Sequence, residues 1–321
     1  FNMDVQEMLA KVEFDDITAC PLCRLPDRMV DLVSDVALSR PSQSWRLCLN
    51  CEHTFVSPCP TEAFLSEFYT EGYRRMTHNL KETEDKTRMP VQSVNEERMR
   101  AMRVATTILR IRPKVANHLD IGSSTGALCA GIVDFLHPAH SWGVEPGDAW
   151  REFAESAFAN REPAGRTYED DVKFAATLSK VPKAQKFELV TIIHTLEHVR
   201  EPRELLEECR SRMRPTGLLV VEVPDRYGGV PSPLMWPHLH CFTEQTLARL
   251  FGEVGFTPIL TESFGCLPPF FVPPQSLLMI GTLKPPVISV ESVLARYNQY
   301  RVVIGNVQQR MAQARPQYDI G

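Results

Sequence analysis

The chain has no run of about 18 apolar residues, so nothing in its 321 residues is expected to span a membrane. It has no excess of positive charge. There are 35 Lys and Arg against 40 Asp and Glu, and a net charge of −5 argues against a phosphate-binding surface. The imbalance is local: residues 1–75 carry seven Lys and Arg and twelve Asp and Glu, and the remainder is neutral. The chain starts at Phe1 without a Met, and Phe1 to Ala10 has no basic stretch leading into an apolar one, so no secretory signal is expected there. An even cysteine count is lacking as well. Nine cysteines, four of them in paired C-x-x-C units, point to metal binding in a reducing cytoplasm and away from a disulfide framework. Hydrophobic residues make up 43%, ordinary for a core-forming chain, and the length allows one large domain plus a smaller one.

What is present starts with His118-Leu119-Asp120-Ile121-Gly122-Ser123-Ser124-Thr125-Gly126. An apolar strand runs into a glycine turn, and the turn opens a helix from Ala127 to Leu136. About twenty residues on, Trp142-Gly143-Val144-Glu145-Pro146 reads as a short strand ending in a carboxylate. Glycines let backbone approach a ligand and the spaced acid can accept ribose hydroxyls, which is the layout of a nucleoside-binding doubly wound fold. A dinucleotide turn would need glycine at position 124, where this chain has Ser124. Strands are predicted at 116–121, 141–145, 166–169, 187–193, 217–223, 256–262 and 276–283, with helices at 126–136, 148–159, 171–178, 202–213 and 243–254. That alternation predicts an α/β fold, a mostly parallel seven-stranded sheet with helices on both faces and the site at the carboxyl ends of its strands.

Ahead of it, Cys20-Pro21-Leu22-Cys23 and Cys48-Leu49-Asn50-Cys51 stand 24 residues apart. Two knuckles of two thiolates each satisfy tetrahedral zinc and leave no open position. A structural zinc ribbon held by these four cysteines is therefore expected, with Cys59 and His53 as substitute ligands. Thr61 is a plausible N-cap for the amphipathic run that follows. Residues 74–97 read as a linker and helix start, and Val94, Met99, Met102, Ala105 and Leu109 recur at helical spacing.

Two further stretches carry a resemblance. One is Phe187 to Val199, ending His194-Thr195-Leu196-Glu197-His198-Val199, with Arg214-Pro215-Thr216-Gly217-Leu218 after it. The other is His238-Leu239-His240-Cys241-Phe242-Thr243 with Gly255-Phe256. Together with the glycine turn, spaced D-x-G-x-x-x-G, residues 115–283 resemble the class I S-adenosylmethionine-dependent methyltransferases. Thr216 replaces a glycine usual in that family. With the zinc module and the aromatic stretch Pro58 to Tyr73, the layout is similar to zinc-ribbon methyltransferases of bacterial polysaccharide and antibiotic pathways, including sugar C-methyltransferases.

The resemblance implies a zinc module at 1–73, a linker and leading helix at 74–114, a Rossmann-like methyltransferase domain at 115–285 and an amphipathic C-terminal helix at 286–321. It implies that Asp120 orients the methionyl amine, that Gly122, Ser123 and Gly126 admit the cofactor to the backbone, and that Glu145, followed by Pro146, binds the ribose. It also implies that Asp170 or Asp171, after the third strand, lies near the adenine. Methyl transfer needs alignment and a proton acceptor, and histidine suits the latter near neutral pH. His194, His198 and His240 are the candidates, with His194 also beside the cofactor. His194-x-x-Glu197-His198 further resembles the E-x-x-E-H magnesium site of some quinone O-methyltransferases, although histidine is a poor ligand for a hard cation.

The loops Tyr227 to Pro237 and Phe264 to Pro274 are expected to build the acceptor pocket or to pack on the domain's own core. Val293, Tyr297, Tyr300, Ile304, Val307 and Met311 form a helical seam that packs on the chain itself or pairs two copies. The expected partner is a small-molecule acceptor, a sugar nucleotide or a natural-product intermediate, in a cytoplasmic biosynthetic enzyme, without nucleic acid or membrane. Competing readings are an rRNA methyltransferase with a zinc module, opposed by the acidic ribbon, and a non-catalytic cofactor-binding subunit. A dehydrogenase is opposed by the glycine spacing.

Overall fold

The computed structural model describes residues 3–26, 28–32, 44–73, 91–159, 172–226, 234, 236–264 and 276–284. The C-terminal seam, Asp170, Asp171 and most of both acceptor-pocket loops lie outside these residues. Among them no helix is long and apolar enough to cross a membrane.

The N-terminal part opens with helix α1, Met3–Ala10, and the strands β1, Phe14–Asp15, β2, Met29–Leu32, β3, Trp45–Cys48, β4, Thr54–Val56, and β5, Cys59–Pro60. β2, β3 and β4 pair antiparallel, and β1 pairs with β5. Helix α2, Glu62–Glu67, starts as expected at Thr61, whose hydroxyl accepts from Phe64 N at 3.3 Å. It runs directly into a π-helical turn, Phe68–Gly72.

Helix α3, Val91–Ile111, leads into the large domain. Its buried face is Ala101, Val104, Ala105, Ile108 and Leu109, while Met99, expected on that face, is exposed. The offset follows from close packing on helix α4, Ala127–Leu136, where a side chain at Gly131 would stand 3.2 Å from Ala101 Cβ. The strands are β6, Asn117–Ile121, β7, His140–Val144, β8, Val172–Ala175, β9, Phe187–Ile193, and β10, Met213–Pro224. They alternate with α4, then α5, Asp148–Ala159, and α6, Pro202–Arg212. A two-residue strand β11, His240–Cys241, precedes α7, Glu244–Val254, and the antiparallel pair β12, Thr257–Phe264, and β13, Ser276–Thr282. Sheet order is β12-β13-β10-β9-β6-β7-β8, parallel throughout except for β13.

This is the expected seven-stranded α/β sheet, with one correction. The predicted helix at 171–178 is instead strand β8 followed by a single 3-10 turn, Leu178–Lys180, because Val172-Lys173-Phe174-Ala175 pairs in parallel with β7 along its whole length. That strand begins at Val172, so Asp170 and Asp171 precede it in the chain instead of following it. β6, β9 and β10 form the middle of the core. Leu119, Leu189, Val190, Ile192, Leu219, Val220 and Val221 are fully buried there, each contributing about 1.5–3 kcal/mol.

β11 leaves the large domain to pair with β4 through His240–Phe55 and Cys241–Thr54, so one four-stranded sheet joins the two parts. Val56 N donates to Leu239 O at 2.9 Å and Leu239 N to Glu197 O at 2.8 Å, which ties the ribbon to the end of β9.

Candidate active site

The glycine turn leaves β6 with left-handed backbone at Gly122 (φ 76°) and Gly126 (φ 74°). A side chain at Gly122 would meet Thr195 Oγ1 at 2.1 Å. The turn is pinned to the next strand, with Gly122 N and Ser123 N both donating to Val144 O, at 2.8 and 3.0 Å. Glu145 follows immediately, and its carboxylate accepts from Ser124 N and Gly147 N, each at 2.9 Å. Burial lifts it to about 7 despite those bonds.

Asp120 is also buried and held at about 7 by desolvation. Beneath it runs a chain absent from the sequence reading. Ser141 donates to His118 Nδ1 (2.8 Å), His118 Nε2–H to Thr191 Oγ1 (2.9 Å), and Thr191 to Asp120 Oδ1 (2.7 Å). Burial depresses His118 to about 3, which keeps it neutral as that chain requires. Cys129 Sγ stands 3.8 Å from the other Asp120 oxygen.

Asp120, Gly122, Ser123, Ser124 and Glu145 line a cavity of about 520 Å³ that also takes in Pro146, Tyr69, Tyr73, Glu97, Arg100, His194 and His198. Such a volume holds a small-molecule ligand. Tyr69 and Tyr73 come from the π-helical turn behind the ribbon. The Tyr69 hydroxyl is buried and has no hydrogen-bond partner among the described residues. Both rings meet His198 edge-on, at 5.8 and 6.1 Å between centroids. Glu97, on α3, accepts from Ser124 Oγ at 3.0 Å and from Thr125 Oγ1.

The two cavity histidines differ. His194 sits at φ 49° just past β9 with both ring nitrogens facing carboxylates: Nε2 is 3.1 Å from Glu222 and Nδ1 3.4 Å from Glu197. Burial and Arg100 press it toward neutrality, but the two carboxylates outweigh them and its pKa rises. Burial would raise both acids too, yet His194 at each of them, with Arg103 2.6 Å from Glu222, brings them to about 2. His198 Nδ1 is 3.2 Å from Pro237 O, and since a carbonyl only accepts, the proton is on Nδ1. Its Nε2 carries the lone pair, 3.7 Å from Glu197 Oε1, and burial lowers its pKa to about 4. Glu197, His198 and His238 bring ligand atoms within 4.8 Å of one another.

His240 does not join them. It is buried at the seam with the ribbon, where its Nε2 donates to Arg200 O at 3.3 Å and its Nδ1 accepts from His53 Nε2 at 3.0 Å. His53, weighed as a substitute zinc ligand, is thus engaged elsewhere. The four ribbon cysteines do converge, with Cys20 Sγ to Cys51 Sγ at 3.6 Å and Cys23 Sγ to Cys48 Sγ at 3.7 Å.

A family model described as a methyltransferase domain matches residues 94–261, more than half of the chain. The chain belongs to the methyltransferase-domain family. The sheet order, the glycine turn and Glu145 make it a class I, S-adenosylmethionine-dependent methyltransferase domain. Among curated proteins it is similar to a ubiquinone biosynthesis O-methyltransferase from Actinobacillus pleuropneumoniae serotype 7 (strain AP76), with 28% identity over 112 residues. That match takes in 34% of this chain and spans 45% of the relative's length. Similar solved structures include the magnesium protoporphyrin IX methyltransferase from Synechocystis PCC 6803 with bound SAH, at 13% identity and TM-score 0.49, covering 69% of this chain and 98% of that one. The N-methyltransferase NodS from Bradyrhizobium japonicum WM9 gives 16% identity and TM-score 0.44, over 59% and 94%.

Glu97, Tyr69 and Tyr73 line the cavity, and Glu222 and His118 stand behind His194 and Asp120; sequence reading marked none of the five as a site residue. Glu222 had a signal, since it is the one charge within the apolar run Leu218 to Val223. Glu97 had none, lying where a linker was read.

Proposed function

We propose that the chain transfers a methyl group from S-adenosylmethionine to a hydroxyl of a small-molecule acceptor held between the aromatic turn behind the ribbon and the carboxyl ends of β6, β7 and β9. The observation that carries this is one cavity reaching from the glycine turn and Glu145 to Tyr69, Tyr73 and His198. The chain fits the cofactor. A side chain at Gly122 would strike Thr195 at the cavity wall, Ser123 Oγ is buried without a partner among the described residues, and the carboxylates complement a ligand bearing a sulfonium and an ammonium. When bound, the cofactor supplies an electrophilic methyl.

Glu145 takes the ribose hydroxyls, and Gly122, Ser123 and Gly126 admit the backbone to the ligand. Among the histidines, His198 is the proton acceptor. It is neutral, its tautomer is set by Pro237 O, and Glu197 stands ready to stabilise the imidazolium that forms. The acceptor's O–H proton passes to His198 Nε2 as its oxygen gains the methyl. His194, clamped between Glu222 and Glu197, which raise its pKa, orients the acceptor and leaves the base role to His198. An oxygen acceptor agrees with the curated relative's name. A sugar nucleotide or natural-product intermediate remains the acceptor class.

The four thiolates hold structural zinc. Zinc–sulfur bonds of about 2.3 Å in a tetrahedron put sulfurs about 3.8 Å apart, as the 3.6 and 3.7 Å pairs require. The test of the acceptor is thermal shift on adenosylhomocysteine-saturated protein against a panel of nucleotide sugars. A shift beyond that of the free nucleoside diphosphate identifies the sugar class. Equal shifts with sugar and diphosphate, or none, move the acceptor to a non-sugar compound.

A further inference from the structure

Glu97 and Arg100 stand one helical turn apart on α3, and both line the cavity beside the glycine turn. Glu97 is tied to that turn by the hydroxyls of Ser124 and Thr125. Its carboxylate shares the cavity with those of Asp120 and Glu145, and the nearby Arg151 is already spent on Glu145 O (2.9 Å) and Asp148 (2.5 Å). Arg100 has the opposite problem. The carboxylate it faces, Glu222 at 3.8 Å, is already bound by Arg103 at 2.6 Å and His194 at 3.1 Å. Around this helix face, among the described residues, the cavity therefore has an acid met by two hydroxyls and, one turn along and close enough to act on it, a guanidinium whose carboxylate is shared with two other cations.

From this we infer that Glu97 and Arg100 form a clamp for an α-amino acid zwitterion, with Glu97 receiving the ammonium and Arg100 the carboxylate of the cofactor's methionyl end. This rests on the reading that the cavity holds S-adenosylmethionine. It adds Glu97 to Asp120, the residue expected to orient the ammonium. Each carboxylate is positioned by the protein, Asp120 by Thr191 at 2.7 Å and Glu97 by Ser124 at 3.0 Å and by Thr125, and each keeps lone pairs for a further donor. Charge-assisted contacts of this kind are short and directional, and losing one leaves the other charge without a partner.

Calorimetric titration of the full chain with two ligands tests it: adenosylhomocysteine, which has the amino acid end, and 5′-methylthioadenosine, which keeps the nucleoside and sulfur but lacks that end. Glu97→Gln and Arg100→Met are each expected to weaken adenosylhomocysteine by about tenfold to a hundredfold. Both should leave methylthioadenosine within about twofold. Arg100 is partly exposed, so its variant keeps the test open if Glu97→Gln loosens the turn. Unchanged adenosylhomocysteine affinity in both variants, or equal losses for both ligands, overturns the clamp. So does wild-type protein that binds the two ligands equally tightly, although the cofactor reading then stands. Wild-type protein that binds neither ligand overturns both.

Discussion

His194 and His198 lie four residues apart on either side of Glu197, and their surroundings push them in opposite directions. Two carboxylates on one ring raise the pKa of His194 against burial. Burial lowers His198 to about 4 and keeps it neutral, while Pro237 O fixes its proton on Nδ1. Replacing His198 by Ala is therefore expected to lower kcat by about 10²–10⁴-fold with the Kd for adenosylhomocysteine unchanged, checked by turnover and titration in parallel. Equal cofactor loss would assign His198 to binding instead. Asp120 and Glu145 carry a pH dependence. Their folded values of about 7 exceed ordinary carboxylate values, so their stabilising contribution is complete below the unfolded pKa and is lost as pH rises through about 7. His194, also raised, acts in the same direction. The buried histidines His118, His198 and His240, depressed below the ordinary value, act in the opposite direction over the same window, so the reading is a difference between two proteins. Going from pH 6.5 to pH 8, the ligand-free wild type should lose more melting temperature, or gain less, than Glu145→Gln; the same pH dependence in both would contradict the buried-acid geometry.

At the scale of elements, the glycine turn is the most constrained segment. Gly122→Ala places a Cβ at 2.1 Å from Thr195 Oγ1 on a left-handed residue. A loss of at least about 1–3 kcal/mol is expected from the backbone alone, read as a shifted denaturant midpoint, with cofactor binding weakened as well. This turn, β6, β7, β9 and the end of α7 at Gly255 were legible in the sequence because each carries its own local signal: an apolar run, a left-handed glycine, a Thr243 cap. β8 was not. Four residues of mixed polarity, Val172-Lys173-Phe174-Ala175, fit a short strand or a helical turn equally, and only pairing with β7 decides between them. His240 misled for a related reason. The spacing that marks the family segment is real, but β11 turns that histidine toward β4 of the ribbon, a contact between residues 187 positions apart.

For the whole molecule, the cysteine module is tied to the large domain, and the segment behind it reaches the cavity. Its sheet is completed by β11, Arg200 reaches back to Pro60 O and Asp15, and the turn that follows it supplies Tyr69 and Tyr73 to the cavity. The cysteine spacing pointed to the convergence of Cys20, Cys23, Cys48 and Cys51, while the docking of that segment was invisible because no local pattern encodes a shared sheet. Chelating the metal is expected to abolish turnover and shift melting downward, with turnover restored by zinc, whereas an independent ribbon would leave the activity intact. The central claim is that the cavity at Glu145 holds the cofactor, and calorimetric titration of adenosylhomocysteine into the full chain and into Glu145→Ala tests it most directly. Expected is one site per chain in the wild type and a Kd about tenfold to a hundredfold weaker in the variant. No binding to the wild type, or the same Kd in both proteins, would contradict it.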